Sequence, residues 1–183
     1  MRRFCLLSGL VGVVLAGCQN DNPSMLIDLG PKCPSTAVLA DAVTVTKFKP
    51  GVPANAGMMF TAEMSQAQVT CDYDMMRNTL SVDLSFAVKG ARGPAAAGAD
   101  PPLDFFVAVV DIDGNLLAKK VYQNQPDLGN KPNAQWTQRI NNFSVPMAQD
   151  KRPYDYEILT GFQLTPEELA FNRAPRPIPQ PRP

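Results

Sequence analysis

The stretch Asn78-Thr-Leu-Ser-Val-Asp-Leu-Ser-Phe-Ala-Val88 decides the fold, because its apolar residues recur at every second position. Side chains at successive positions of a β-strand point to opposite faces of the sheet. One face carries Leu80, Val82, Leu84, Phe86 and Val88, and the other carries Ser81, Asp83, Ser85 and Ala87. The pattern predicts a strand with one face in a hydrophobic core and the other facing solvent.

Outward from this strand, the same two-residue period recurs along most of the chain. The run Phe105–Val110, with Ile112, is apolar at nearly every position, which predicts a central strand that is covered on both faces. The remaining predicted strands span Ala42–Phe48, Met58–Met64, Val69–Tyr73, Leu116–Tyr122, Trp136–Val145 and Tyr154–Leu164. For residues 36–42 the alternative of a helical turn stays open.

Two local signals refine these strands. Asp113-Gly114 predicts a hairpin turn before Leu116–Tyr122, and the two lysines at 119 and 120 are typical of an edge strand. In Trp136–Val145 the apolar phase shifts by one position after Ile140, which predicts a bulge near Asn141-Asn142.

The fold class follows from the number and spacing of these strands. Seven or eight short strands separated by Pro- and Gly-rich loops predict a mainly β fold, an immunoglobulin-like antiparallel β-sandwich over residues 33–172. One short helix is predicted near the end of the domain, because Thr165-Pro166-Glu167-Glu168 combines a capping Thr, a Pro at the first helical position and a Glu three residues after the cap.

The composition excludes several functional classes. The 183 residues contain 17 basic and 17 acidic side chains and no His, so imidazole-based catalysis and the common His-based metal sites are excluded. With balanced charge, the chain also lacks the excess of basic residues that is typical of nucleic-acid-binding proteins. We expect no catalytic residue, no cofactor and no metal ligand, and we expect the protein not to be an enzyme.

The N-terminus carries an export signal. Arg2 and Arg3 precede the apolar run Leu6–Leu15, which is too short to cross a bilayer and is typical of a signal peptide over residues 1–17. The following Leu15-Ala16-Gly17-Cys18 resembles the lipobox of bacterial lipoproteins. This resemblance implies cleavage before Cys18 and acylation of its sulfur and amine, which anchors the chain in a membrane through three acyl chains.

The resemblance also implies a location. An Asp after the acylated cysteine commonly retains lipoproteins of this family on the inner membrane, whereas Gln19 stands here. We therefore expect an outer-membrane protein that faces the periplasm. Residues 18–32 are predicted to form a lipidated tether, and the Pro- and Arg-rich residues 173–183 a disordered tail. The stretch Gly161–Asn172 (GFQLTPEELAFN) resembles uncharacterised proteobacterial envelope lipoproteins, which bring no known activity.

Two cysteines remain in the mature domain. Cys33 and Cys71 form an even pair in an oxidising compartment, and we expect them to form a structural disulfide. A redox-active pair is disfavoured, because the two residues are far apart in sequence and Asp72 and Asp74 would raise a thiol pKa.

Other ligand chemistries remain as alternatives. The pairs Met58-Met59 and Met75-Met76, with Met64 and Met147, are thioethers that suit Cu(I), although core filling explains them more simply. Asp111-Ile112-Asp113-Gly114-Asn115 resembles the start of a calcium loop but lacks the closing Glu.

The sequence predicts a non-enzymatic, lipid-anchored envelope protein that serves as a structural or protein-interaction module. We expect its membrane contact through acylated Cys18, a partner among envelope proteins or cell-wall polymers, and no contact with nucleic acid. The loops 90–102 and 123–134, together with the tail, are the expected contact regions. The alternative is an accessory lipoprotein that binds a small molecule, a metal such as Cu(I), or a glycan.

Overall fold

The computed structural model describes residues 33–52 and 54–174. Contacts divide the chain into residues 1–30 and 31–183, and all described residues belong to the second unit. The predicted signal peptide, Cys18 and the tether to residue 32 lie outside the described residues, as do residues 175–183 of the tail. Among the described residues, no helix has the length and apolarity needed to cross a membrane.

The described chain is mainly β, as predicted, and it forms two sheets. Its strands are β1 (Ser35–Val38), β2 (Thr44–Phe48), β3 (Met58–Met64), β4 (Gln68–Asp74), β5 (Thr79–Arg92), β6 (Leu103–Asp111), β7 (Leu116–Asn124), β8 (Asn133–Val145) and β9 (Tyr156–Phe162). The helices are α1 (Ala54–Gly57) and α2 (Pro166–Arg173), with 3₁₀ helices at Ala40–Ala42 and Pro153–Asp155.

The four-stranded sheet has the order β1-β9-β6-β7. The five-stranded sheet is organised around β5, the longest strand. β8 pairs along almost the whole of one edge of β5. On the other edge, β4 pairs with Thr79–Ser85 and β3 with Val88–Arg92, and β2 lies outside β3. β5 therefore runs the length of its sheet and holds two strands end to end.

The two sheets share one hydrophobic core. The five apolar residues of the alternating stretch in β5 are all buried in it, which confirms the predicted half-buried strand. The rings of Phe86 on β5 and Phe105 on β6 meet edge to face with centroids 5.4 Å apart. The core therefore joins the sheets through direct contacts between their inner faces.

The local predictions of the hairpin, the edge strand and the bulge are confirmed. Asp113-Gly114 lies in the turn between β6 and β7, and β7 is an edge strand of the four-stranded sheet. The bulge in β8 falls where Asn142 takes a positive φ of 53°, and its N–H donates to Asp83 Oδ1 at 2.8 Å.

The strand count and the antiparallel expectation need correction. The described residues contain nine strands, and β1 pairs parallel with β9. β1 has only four residues, too few for a clear period of two, so the sequence leaves it ambiguous. Its parallel pairing is possible because most of the chain separates it from β9, whereas neighbouring strands are joined by turns that require antiparallel pairing.

Helix α2 begins as predicted. The Thr165 hydroxyl accepts from Glu168 N, and Glu168 Oε2 accepts from Thr165 N at 2.9 Å, which completes the capping box. α2 packs against β2 through the rings of Phe48 and Phe171, whose centroids lie 4.9 Å apart.

The fold has two ends that matter for function. The entry end is the end at which the described chain begins. It comprises residues 33–35, 74–78, 111–116 and 146–155. The loop end lies at the opposite ends of the same strands and comprises the loops 93–102 and 125–132. The loop end therefore contains the central parts of both predicted contact loops.

Candidate functional site

The predicted disulfide between Cys33 and Cys71 is confirmed, with the two Cα atoms 5.6 Å apart. Cys33 immediately precedes β1, and Cys71 lies in the middle of β4. The bond therefore links the chain at the entry end covalently to the five-stranded sheet. Such a bond is typical of an oxidising compartment.

At the loop end, an ion pair fastens the two predicted contact loops to the sheet. Arg92 is the last residue of β5, and its guanidinium meets the carboxylate of Asp100 through two parallel hydrogen bonds. The Nε–Oδ1 distance is 2.6 Å and the Nη2–Oδ2 distance is 2.9 Å. Asp100 is almost completely buried, and this bidentate geometry is the strongest form of an Arg–carboxylate pair.

The same ion pair binds the second loop. Asp100 Oδ2 also accepts from the N–H of Leu128 at 2.9 Å, and the side chain of Leu128 is buried in the shared core. Arg92 Nη1 donates to the carbonyl of Gly129 at 2.8 Å and to that of Lys131 at 3.3 Å. One buried pair therefore holds both loops, and we call these five residues the clamp.

The electrostatics of the clamp follow from these contacts. The hydrogen bond from Arg92 lowers the pKa of Asp100 against the opposing effect of burial, and the N–H of Leu128 lowers it further. The same pair raises the pKa of Arg92. Both groups therefore stay charged at neutral pH, and the hydrogen bonds between them are charge-assisted.

The base of the first loop is fixed by the backbone of β3. Gly93 N donates to the carbonyl of Met59 at 2.8 Å, and Ala95 N to that of Met58 at 3.0 Å. A Cβ at Gly93 would lie 2.2 Å from the Met58 carbonyl oxygen, so only glycine fits there. Between this base and Asp100, the small residues 96–99 are exposed beside a cleft of about 280 Å³.

The predicted contact loops thus come together, although their bounds differ from the sequence estimate. Residues 90–92 belong to β5, 123–124 to β7 and 133–134 to β8. The sequence did not single out Arg92 or Asp100. The only signals were an Arg at the end of a long strand and an Asp inside an otherwise uncharged loop.

A second, polar surface lies on the outer face of the five-stranded sheet. It is a groove of about 760 Å³. The hydrogen-bonding side chains that line it include Thr44, Thr61, Glu63, Lys89, Asn133 and Gln135, and Phe171 is exposed beside them. The side chains of Glu63, Lys89, Asn133 and Gln135 make no hydrogen bond or ion pair to other described residues, so they are free to bind a ligand.

The structure separates the methionines that suggested copper. Met58 and Met59 lie beside the base of the first loop, whereas Met75 and Met76 occupy the β4–β5 turn at the opposite end. Met64 is buried in the core. Met147 lies in the segment 146–155 and packs, partly buried, against the core. The six thioethers therefore do not gather at one site, and within the described ranges no three His, Cys, Asp or Glu side chains are grouped to hold a metal.

The Asp111–Asn115 segment uses its oxygens internally. Asp111 Oδ1 accepts from the N–H groups of Asp113 and Asn115, and Oδ2 accepts from the Asn115 side chain at 2.9 Å. The Asn115 side chain is the main cause of the lowered pKa of Asp111. These contacts account for the residues as a hairpin turn.

Comparison of the chain with protein-family models, curated proteins and solved structures gives no significant match.

Proposed function

We propose that this protein is a lipid-anchored envelope protein that faces the periplasm and acts as a non-enzymatic interaction module. The lipobox residues ending at Cys18 support the anchor. The Cys33–Cys71 disulfide supports export, because such bonds persist in oxidising compartments. For the fold type, two sheets around one core support an immunoglobulin-like sandwich.

The clamp is the observation that carries the interaction role. It fixes two loops from different parts of the chain side by side, with residues 96–99 and 129–132 exposed. Loops that are ordered before binding lose less conformational entropy when a partner docks. The clamp also lies at the opposite end of the domain from residues 33–35, where the described chain begins.

Photo-crosslinking in intact cells tests this role. A photoreactive residue placed at Ala97 or Asn130, both exposed at the loop end, should form an adduct with a protein or a cell-wall polymer. The matched control position is Thr137, which is exposed on the outer face of β8. Adducts at Thr137 without adducts at Ala97 or Asn130 would contradict a contact surface at the loop end.

The anchor has its own test. Cys18→Ser removes the only sulfur that the lipobox chemistry uses, so the protein should leave the membrane fraction and lose its fatty acids by mass spectrometry. A variant that stays in the membrane fraction would show that the acyl chains are not what holds the protein there.

A glycan-binding accessory role is the second candidate, and the polar groove favours it. The groove combines unpaired donors and acceptors with one exposed ring, the combination that binds sugar hydroxyls and packs against a sugar face. Titration with cell-wall oligosaccharides, followed by the NMR shifts of Lys89 and Gln135, separates the two candidates. Shifts confined to the groove favour the glycan role.

A further inference from the structure

The strand register of the four-stranded sheet places the start of the described chain beside a hairpin tip. Ser35, the first residue of β1, pairs with Glu157 of β9. Glu157 pairs with Val110 near the end of β6, and Val110 pairs with Leu116 at the start of β7. The chain therefore enters the fold at the same end as the β6–β7 turn.

The five-stranded sheet contributes its own turn to this end. In the β4–β5 turn, Asn78 Nδ2 donates to the carbonyl of Ala148 at 3.0 Å, and Ala148 N donates to the Tyr156 hydroxyl at 2.8 Å. Tyr156 pairs with Asp111 at the end of β6. These contacts bring the tips of both sheets together at the entry end.

The entry end exposes several large hydrophobic side chains. The five most exposed large hydrophobic side chains in residues 33–52 and 54–174 all lie there, with exposures from 61% to 98%. They are Met75, Met76, Ile112, Leu116 and Tyr154. Three separate segments thus each expose large apolar or amphipathic groups at one end, where water would otherwise favour polar turn residues.

Acidic residues outnumber basic ones at this end. Arg77, Lys151 and Arg152 lie beside acidic residues, and Arg77 pairs with Asp74 at 3.3 Å. The other acidic residues of this end are Asp111, Asp113, Asp150 and Asp155. A surface of this kind has no excess of positive charge to bring it to anionic lipid, so its contact with a membrane would depend on the apolar side chains.

From these observations we infer that the entry end rests on the lipid bilayer, with Met75, Met76, Ile112, Leu116 and Tyr154 inserted into the headgroup region. This inference rests on the proposed function, because acylated Cys18 would keep the domain within reach of a bilayer. Residues at such an interface reach about 5–10 Å into the boundary between headgroups and acyl chains. Tyr154 suits this depth, since tyrosine has an apolar ring and a polar tip.

Quenching by brominated lipid tests the placement in the full-length acylated protein. The chain contains one Trp, Trp136, which lies on β8 away from the entry end. Its fluorescence is measured in the parent protein and subtracted as background. Tyr154→Trp adds a reporter at the entry end, and Ala97→Trp adds the matched control at the loop end. In vesicles of phosphatidylcholine brominated near the headgroup, the reporter at position 154 should lose about half of its emission.

The control at position 97 should lose almost none. The combined substitutions Met76→Ser, Ile112→Ser and Leu116→Ser should reduce quenching at position 154 to the control level, while far-ultraviolet circular dichroism stays unchanged. Addition of phosphatidylglycerol should not increase the quenching, since acidic residues outnumber basic ones at this end.

Flotation of the vesicles distinguishes the possible failures. If the protein floats with the vesicles but is quenched equally at positions 154 and 97, the bilayer contact of the entry end is wrong and the lipid anchor stands. The exposed apolar side chains of the entry end would then be available to a protein partner. A protein that does not float would overturn the anchor and the bilayer contact together.

Discussion

Lys47 on β2 and Glu168 on α2 form a salt bridge, with Lys47 Nζ 2.8 Å from Glu168 Oε1. The other carboxylate oxygen of Glu168 accepts from Thr165 N and so belongs to the helix cap. One buried carboxylate therefore both starts α2 and fastens it to the edge of the five-stranded sheet.

Glu168→Ala should lower the free energy of unfolding by about 1–3 kcal/mol, because it removes the hydrogen bond from Thr165 N in the capping box and leaves Lys47 without its partner. Glu167→Ala is the matched control, since Glu167 is the exposed neighbour in the same helical turn. Urea unfolding of both variants measures the difference. Equal losses in the two variants would contradict a specific role for Glu168.

Loss of the disulfide should destabilise the domain strongly. The bond closes a loop with a sequence separation of 38 residues, which corresponds to about 4 kcal/mol of unfolded-state entropy in the chain-entropy model. Cys33→Ser, Cys71→Ser and the double variant should all lose the same amount, because each removes the same crosslink. A melting temperature of the parent protein that does not change with reductant would contradict this expectation.

The clamp should make the stability of the folded domain depend on pH in the acidic range. The pKa of Asp100 lies below its ordinary value of 3.8 in the folded protein. The stability that its charge provides is therefore present above that value and is lost as the pH falls through the folded pKa. Asp100→Asn should lower the melting temperature by about 3–8 °C at neutral pH, and the difference from the parent should shrink below about pH 4.

Scanning calorimetry across pH measures this difference. Asp150→Asn is the control, because Asp150 is exposed and makes no hydrogen bond or ion pair with the rest of the described chain. A difference between the parent and Asp100→Asn that stays constant down to pH 2, or grows, would contradict the role assigned to the Asp100 charge.

A close contact between β9 and the 3₁₀ helix Ala40–Ala42 should tolerate no added methyl group. A Cβ at Gly161 would lie 2.7 Å from Ala42 Cβ and 3.2 Å from a ring carbon of Phe106. Gly161→Ala should therefore cost about 1–3 kcal/mol through overpacking. Ala42→Gly in the same chain should recover part of that loss, and a double-mutant cycle measures the coupling. Strictly additive effects would show that the two sites do not share this space.

The features that sequence predicted well are those set by neighbouring residues. The alternation in β5, the Asp113-Gly114 turn and the capping box at Thr165 each depend on contacts within a few positions along the chain. The bulge at Asn142 was also visible, because a one-residue phase shift changes which face of the strand is apolar. These local rules were sufficient for the mainly β architecture.

The clamp and the composition of the entry end depend on tertiary structure. Asp100 binds Leu128, 28 positions away, and Glu168 binds Lys47 from the other end of the domain. No local pattern shows which charged residue becomes buried or which partner satisfies it. The four-residue β1 was ambiguous for the same reason, because its partner β9 lies more than a hundred residues later.

The Cys33–Cys71 bond also has a mechanical consequence. If the chain is pulled between its N-terminal side and the loop end, tension passes through the disulfide from Cys33 into β4 rather than through the short pairing of β1 alone. β4 is hydrogen-bonded lengthwise to β5, which ends at Arg92. The hydrogen bonds between β4 and β5 would then be loaded together in shear, so the domain is built to bear force along β5 without peeling open from its first strand.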